Sequence, residues 1–245
     1  KWIITCLIFV AVERFCYFQT GTFSLHKMVY EASPPSPTSP TSSIDLQQPL
    51  RFIGAGKQFY AFETEGGEYV VKFMKWSRRR PLPFINGEIQ ERRARLASKL
   101  VTSSHLALES LPDETQLVIP KPIDTLTLID KLGITHTVPS SSTHYYVQRK
   151  AIPFTDYFKN HPSHRKQLIH SFVRTVRSHC QQNISNLDPI IERNYGVVKN
   201  EVILLDFGSL LQSSTLNNDV ELLPLRMWLQ KNYPEFLPVL DTETF

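Results

Sequence analysis

The stretch "IERNYGVVKNEVILLDFGSL", residues 191 to 210, reads as strand, turn and strand, and closes on Asp206 followed by Phe207 and Gly208. Val202, Ile203, Leu204 and Leu205 make an apolar run that finishes on a carboxylate, with Asn194 twelve positions before it. A carboxylate at the inner end of a buried strand is costly to desolvate unless a cation lies beside it. The pattern by itself leaves open what that cation is, an arginine such as Arg193 in a purely structural pair being one answer.

Upstream, "LRFIGAGKQFYAFETEGGEYVVKFMKW" (50 to 76) reads as three strands, with apolar and aromatic alternation through Phe59 to Phe62 and a hairpin turn at Gly66-Gly67. Lys72 is the only charged residue inside the strand "YVVKF", so its ammonium must find an anion. The segment 83 to 101 carries Ile85, Ile89, Leu96 and Leu100 at helical spacing, with Asn86 as an early cap. Short strands are expected in "LVIPKPI" and in "LTLIDKLGITHTV", the latter turning at Gly133, and another over 143 to 152. A short helix over "TDYFKNHP" follows, then a longer one over 163 to 183 with Leu168, Phe172, Val176 and Cys180 along one stripe. Strands first and helices later predict an α+β fold in two lobes.

The composition of the 245 residues, 41% hydrophobic and 20% charged, is that of a globular chain. A net charge of +4 favours anionic partners only weakly. Three cysteines, Cys6, Cys16 and Cys180, without a C-x-x-C pair suggest neither a disulfide framework nor a zinc site. "HPSH" at His161 to His164 reads as a loop opening a helix. Residues 1 to 18 hold "WIITCLIFVAV" before Glu13 and Arg14, which reads as a secretion signal, an uncleaved membrane anchor, or an amphipathic segment packed on the protein. Without a small-x-small cleavage site, the anchor is preferred. Four prolines among Ser and Thr in 31 to 44 mark a semi-extended linker, so 19–45 is taken as the linker between that segment and the folded unit.

The order of Gly54 and Gly56 between strands, Lys72 in a strand, a helix glutamate, then Asp188, Asn194 and the Asp206-Phe207-Gly208 triplet resembles the protein kinase-like superfamily. That resemblance implies a two-lobed fold, with an antiparallel sheet and one helix in an N-terminal lobe (46–150) and a reduced helical C-terminal lobe (151–245). It implies ATP and Mg²⁺ as ligands. Gly54 and Gly56 would cover the phosphates, Lys72 would contact them, and residues around Gln148 to Lys150 would face adenine. Asp188 would act on the acceptor hydroxyl, while Asn194 and Asp206 would hold the metal. For the partner of Lys72, Glu88 lies nearer the apolar edge of its helix and Glu91 nearly opposite; Glu88 is preferred.

The chain also departs from the family. Phe59 stands where the third glycine of G-x-G-x-x-G belongs, no His-Arg precedes Asp188, and the interval from Asp188 to Asn194 is one residue longer than usual. The 37 residues after Gly208 contain no A-P-E. The expectation is therefore an atypical kinase acting on a small-molecule or protein hydroxyl, the acceptor itself being unknown. The alternative is an inactive pseudokinase serving as a binding or scaffold module. Arg78, Arg79, Arg80, Arg92 and Arg93 form a basic cluster that would suit nucleic acid or an anionic membrane surface in that case. A membrane-associated or secreted location is expected from the first segment, and activity would require a compartment that contains ATP.

Overall fold

The computed structural model describes residues 2–29, 44–75, 87–214 and 216–243, apart from the side chains of 3, 4, 17, 87–90, 93 and 94. The Pro-rich stretch, Arg78, Arg79, Arg80, the Arg93 side chain, Asn86 and the expected helix start at 83 lie outside the described residues. Eight α-helices and twelve strands occur among those described. They divide into two compact units, one of residues 1–90 with 118–148, the other of 91–117 with 149–245.

In the first unit, α1 (Trp2–Gln19) precedes the three expected strands, β1 (Leu50–Ala55), β2 (Phe59–Glu63) and β3 (Tyr69–Met74). The helix α2 (Gly87–Ser110) leads out of this unit and reaches nine residues beyond the expected end at 101. After it come α3 (Pro112–Thr115), which belongs to the second unit, and then β4 (Leu117–Val118), β5 (Thr125–Ile129), β6 (Thr135–Pro139) and β7 (Tyr145–Arg149). The sheet runs β4-β7-β3-β2-β1-β5-β6. It is mixed rather than antiparallel: β1 pairs antiparallel with β2 but parallel with β5, Leu50 opposite Leu128. β2, β3, α2, α3 and β4 separate β1 from β5 in the chain, and a parallel pair needs such a long connection rather than a tight hairpin. Alternation puts Tyr60, Phe62, Val71, Phe73, Leu126 and Leu128 on one face of this sheet, each fully buried. Residues 20–29, inside the segment read as linker, complete that core. Phe23 lies 5.3 Å from Tyr60 and 5.6 Å from Phe62 between ring centroids, and Met28 is fully buried.

The second unit holds β8 (Ile152–Pro153), α4 (Phe154–Asn160), α5 (Arg165–Gln181), β9 (Ile184–Asn186), α6 (Ile191–Asn194), β10 (Tyr195–Val198), β11 (Glu201–Leu204), β12 (Leu210–Gln212), α7 (Asn218–Asn232) and α8 (Leu237–Glu243). The stripe of α5 is as expected for Leu168, Phe172 and Val176, which are buried, with Cys180 half-buried. Leu96 of α2, expected on an apolar stripe, is 58% exposed. Helical spacing alone does not say which face of a helix receives neighbours, and Leu100 rather than Leu96 faces inward.

The hairpin read from the sequence is β10 and β11, antiparallel with Gly196 opposite Ile203. Its turn residues Lys199 and Asn200 both have positive φ, 49° and 70°, which matches the right-handed twist of the strands it joins. Gly196 is required by close approach. A Cβ there would stand 2.8 Å from the Ala151 Cβ and 3.1 Å from the Ile152 carbonyl oxygen, because β8 pairs along β10 at that point.

Candidate functional site

Asp188, Asn194 and Asp206 are brought together within the second unit, and Asn194 is the clasp. Its buried side-chain amide donates to the Asp188 carbonyl. Its own backbone carbonyl accepts the N–H of Leu205 at 2.7 Å and that of Asp206 at 3.4 Å. Since the amide nitrogen is committed to a carbonyl, the amide oxygen is the atom left to accept or ligate. The hairpin explains why residues twelve apart in sequence meet: Asn194 and Leu205 flank the open end of the ladder that begins at Tyr195 and Leu204.

Asp206 does not sit at the buried end of a strand, as the sequence suggested. The strand ends at Leu204, and Asp206 is half-buried in the turn after it. One carboxylate oxygen accepts the Gly208 N–H at 3.0 Å, an Asx-type turn that holds the D-F-G backbone in shape. Phe207 is fully buried beneath it. Asp188 is likewise half-buried.

Two residues that sequence reading passed over shape this region. Asn186, buried at the end of β9, accepts the Asp188 N–H on its side-chain oxygen at 3.1 Å and reaches the Tyr195 hydroxyl at 3.4 Å. An asparagine two residues before an aspartate is a local turn signal that was available in "SNLD". Ser103 on α2 donates to the Phe207 carbonyl at 2.6 Å and accepts the Leu210 N–H at 2.7 Å, pinning both sides of the triplet from a hundred residues away. No local pattern marks Ser103; only a count of which buried hydroxyls need partners would find it.

In the first unit, Lys72 is half-buried on β3 opposite Ala61 of β2. A Cβ at Gly54 would meet nothing within 4 Å, and one at Gly56 would meet only the Phe59 carbonyl at 3.9 Å. Neither position has positive φ, so packing and backbone conformation leave both glycines unexplained. Lys75, one residue past β3, donates its ammonium to the Gly56 carbonyl at 2.6 Å and lies 4.1 Å from the centre of the Tyr60 ring. Burial first, and the nearby charge of Lys27 second, push its pKa down to about 8. Gln148 is buried within β7, and Lys150 is exposed just beyond it in the second unit. Glu91 makes an exposed ion pair with Arg95 at 4.0 Å. Glu88 lies on the first turn of α2, its side chain outside the described residues.

The donor set of Asp206 and Asn194 fits Mg²⁺. The ion takes hard oxygen ligands and is commonly held by one or two carboxylates together with substrate phosphates rather than by a full protein cage. Among the described residues no group of three His, Cys, Asp or Glu side chains gathers to hold a metal. His161 stacks on Tyr157 at 3.9 Å between ring centroids. A separate cavity of about 440 Å³ in the second unit is lined by α3, α5 and the β10–β11 hairpin, and none of Asp188, Asn194 and Asp206 borders it.

No family model matches the chain, and neither does any curated protein. Among solved structures it is similar to WbdD crystallised with a kinase inhibitor, with a TM-score of 0.44 and 17% identity over 75% of this chain and 39% of that one. A structure of WbdD described as a bifunctional kinase-methyltransferase gives 0.38 and 16%, over 66% of this chain and 32% of that one. A third WbdD structure gives 0.41 and 15%, over 76% and 43%. The chain thus spans less than half the length of each.

Proposed function

We propose that this chain is an atypical kinase-like domain that binds ATP with Mg²⁺ and transfers a phosphoryl group to a hydroxyl acceptor. The observation that carries the reading is the Asn194 clasp, which ties Asp188 and Asp206 into one cluster and leaves an amide oxygen and a carboxylate for a hard cation. The cation supplies neutralisation of phosphate charge. Asp188 accepts the proton of the acceptor hydroxyl as that oxygen bonds to phosphorus and the bond to the diphosphate breaks. Lys72 holds phosphate oxygens, and Glu88 is its assigned structural partner. The two unexplained glycines support a hairpin whose backbone is kept open for a ligand. Asn186 stands in for the missing His-Arg by fixing the Asp188 backbone directly.

The test is a thermal shift with ATP, with and without Mg²⁺, on the parent chain and on Lys72→Ala and Asp206→Ala. A magnesium-dependent rise in Tm in the parent, lost in both variants, is expected. A parent chain that ignores ATP at millimolar concentration would sink the reading and leave the binding module. For that module, the described part of the basic cluster is exposed Arg92, and its mark would be an affinity for anionic polymers that falls steeply with salt.

A further inference from the structure

The helix α1 is apolar in every direction. Trp2, Leu7, Ile8, Phe9, Val10, Val12, Phe15 and Phe18 are between 50% and 85% exposed. At 3.6 residues per turn these positions leave no gap wider than about 80° around the axis. A helix made to lie in a protein groove would show one apolar stripe and an opposite polar face. Exposure on all sides calls for an apolar medium that surrounds the helix.

A second feature points the same way. The turn between β5 and β6 presents Leu132 and Ile134, each 53% exposed. This turn sits against the base of α1: Lys131 donates its ammonium to the Phe18 carbonyl at 3.1 Å, and a Cβ at Gly21 would stand 3.1 Å from the Lys131 Cδ. Asp130 accepts the N–H groups of Leu132 and Ile134 at 2.8 and 2.9 Å, so the apolar tip is held rigid. Between helix and sheet there is no loose tether. Tyr60 donates its hydroxyl to the Thr22 carbonyl at 2.9 Å, and Phe23 and Met28 are packed into the core.

We infer that α1 is buried in the hydrocarbon of a phospholipid bilayer, with the β5–β6 turn resting on the same surface. The partner is the lipid itself. Among the described residues no helix is long and apolar enough to cross a membrane. The described residues Trp2 to Val12, at about 1.5 Å each, cover about half of a ~30 Å hydrocarbon core. Glu13 and Arg14 then lie at headgroup level, with exposed Phe15 and Phe18 beside Leu132 and Ile134 at the interface where aromatic residues gather. The first unit is thereby held against the lipid surface in a fixed orientation.

The experiment is flotation of the full chain, synthesised in the presence of phosphatidylcholine vesicles with and without phosphatidylserine. Fluorescence quenching by lipids brominated at different acyl depths accompanies it, and Trp2→Phe identifies the Trp2 signal. The parent is expected to float with both vesicle types, with Trp2 quenched most by the deepest bromine. Phe9→Asp with Val10→Asp should lower the floating fraction at least tenfold. Leu132→Glu with Ile134→Glu, at exposed positions outside the core, should lower it several-fold. A parent that stays in the aqueous fraction would overturn the inference. So would equal flotation of the Phe9/Val10 variant, or lipid-free oligomers that bury Trp2 and do not float.

Discussion

Replacing His179 with leucine should remove a defined part of the protein's sensitivity to acid. His179 lies on α5, 2% exposed, and its Nε2 has no hydrogen-bond partner. Burial away from water pushes its pKa from 6.5 down to about 4. The folded value lies below the unfolded one, so the unfolded chain binds the extra proton between them. The stability is complete above the unfolded value and drains away as pH falls toward the folded one. At about pH 5 nearly all unfolded chains carry the charge and about a tenth of folded chains do, which is a loss of about 2 kcal/mol relative to pH 7.5. The assay is urea unfolding at both pH values, followed by the buried Trp228 of the same unit in a background lacking Trp2 and Trp76. The parent should lose about 2 kcal/mol more than His179→Leu on moving to pH 5. Equal losses in the two proteins would refute the reasoning, since His179 would then be charged in the fold or free to leave it.

Other outcomes follow from the same structure. Ser103→Ala leaves the Phe207 carbonyl and the Leu210 N–H without their shared partner and should cost about 1–3 kcal/mol in chemical unfolding, with Ser103→Thr retaining part of it. Gly196→Ala forces a methyl group against β8 and should cost about 1–3 kcal/mol by the same measurement, while Gly54→Ala, with open space above it, should be near neutral for stability and weaken nucleotide binding. Asn194→Asp puts a carboxylate against the Asp188 carbonyl and should lower Tm more than Asp206→Asn does. Lys75, with its pKa near 8, should react with an amine-acylating reagent at pH 8 ahead of Lys131 on peptide mapping.

The parts of the fold legible in the sequence are those where a local pattern meets a local need. The Lys199-Asn200 turn between two apolar runs is one case, and the alternation through Tyr60 and Phe62 is another. What escaped is non-local. Nothing in "THYYVQR" or "LTLID" says that β5 will lie parallel to β1, because strand order depends on the path of the intervening helix. The core role of Phe23 and Met28 was hidden because the linker read from the Pro-rich stretch after them was carried back to residue 19. Asp188, Asn194 and Asp206 were singled out together by their order and spacing, but the hydrogen bonds that join them were not legible there. A hydrogen bond from Asn194 to a carbonyl depends on a bend at Pro189 to Asn194 that residue types alone do not specify. Ser103 is the extreme case, with a partner 104 positions along the chain.

The double engagement of Asn194 has a genetic consequence. On the proposed reading one side chain both closes the loop and offers an oxygen to a ligand, so every substitution there would remove folding and binding at once. In a survey of variants scored separately for abundance and for nucleotide retention, position 194 should fail on both scales with every residue. Asp206 touches the fold only through its own turn to Gly208, so Asp206→Asn and Asp206→Ser should keep abundance and lose retention. Second-site suppressors would differ accordingly: stabilising changes elsewhere could restore the amount of an Asn194 variant but not its ligand, and could do nothing for one at Asp206.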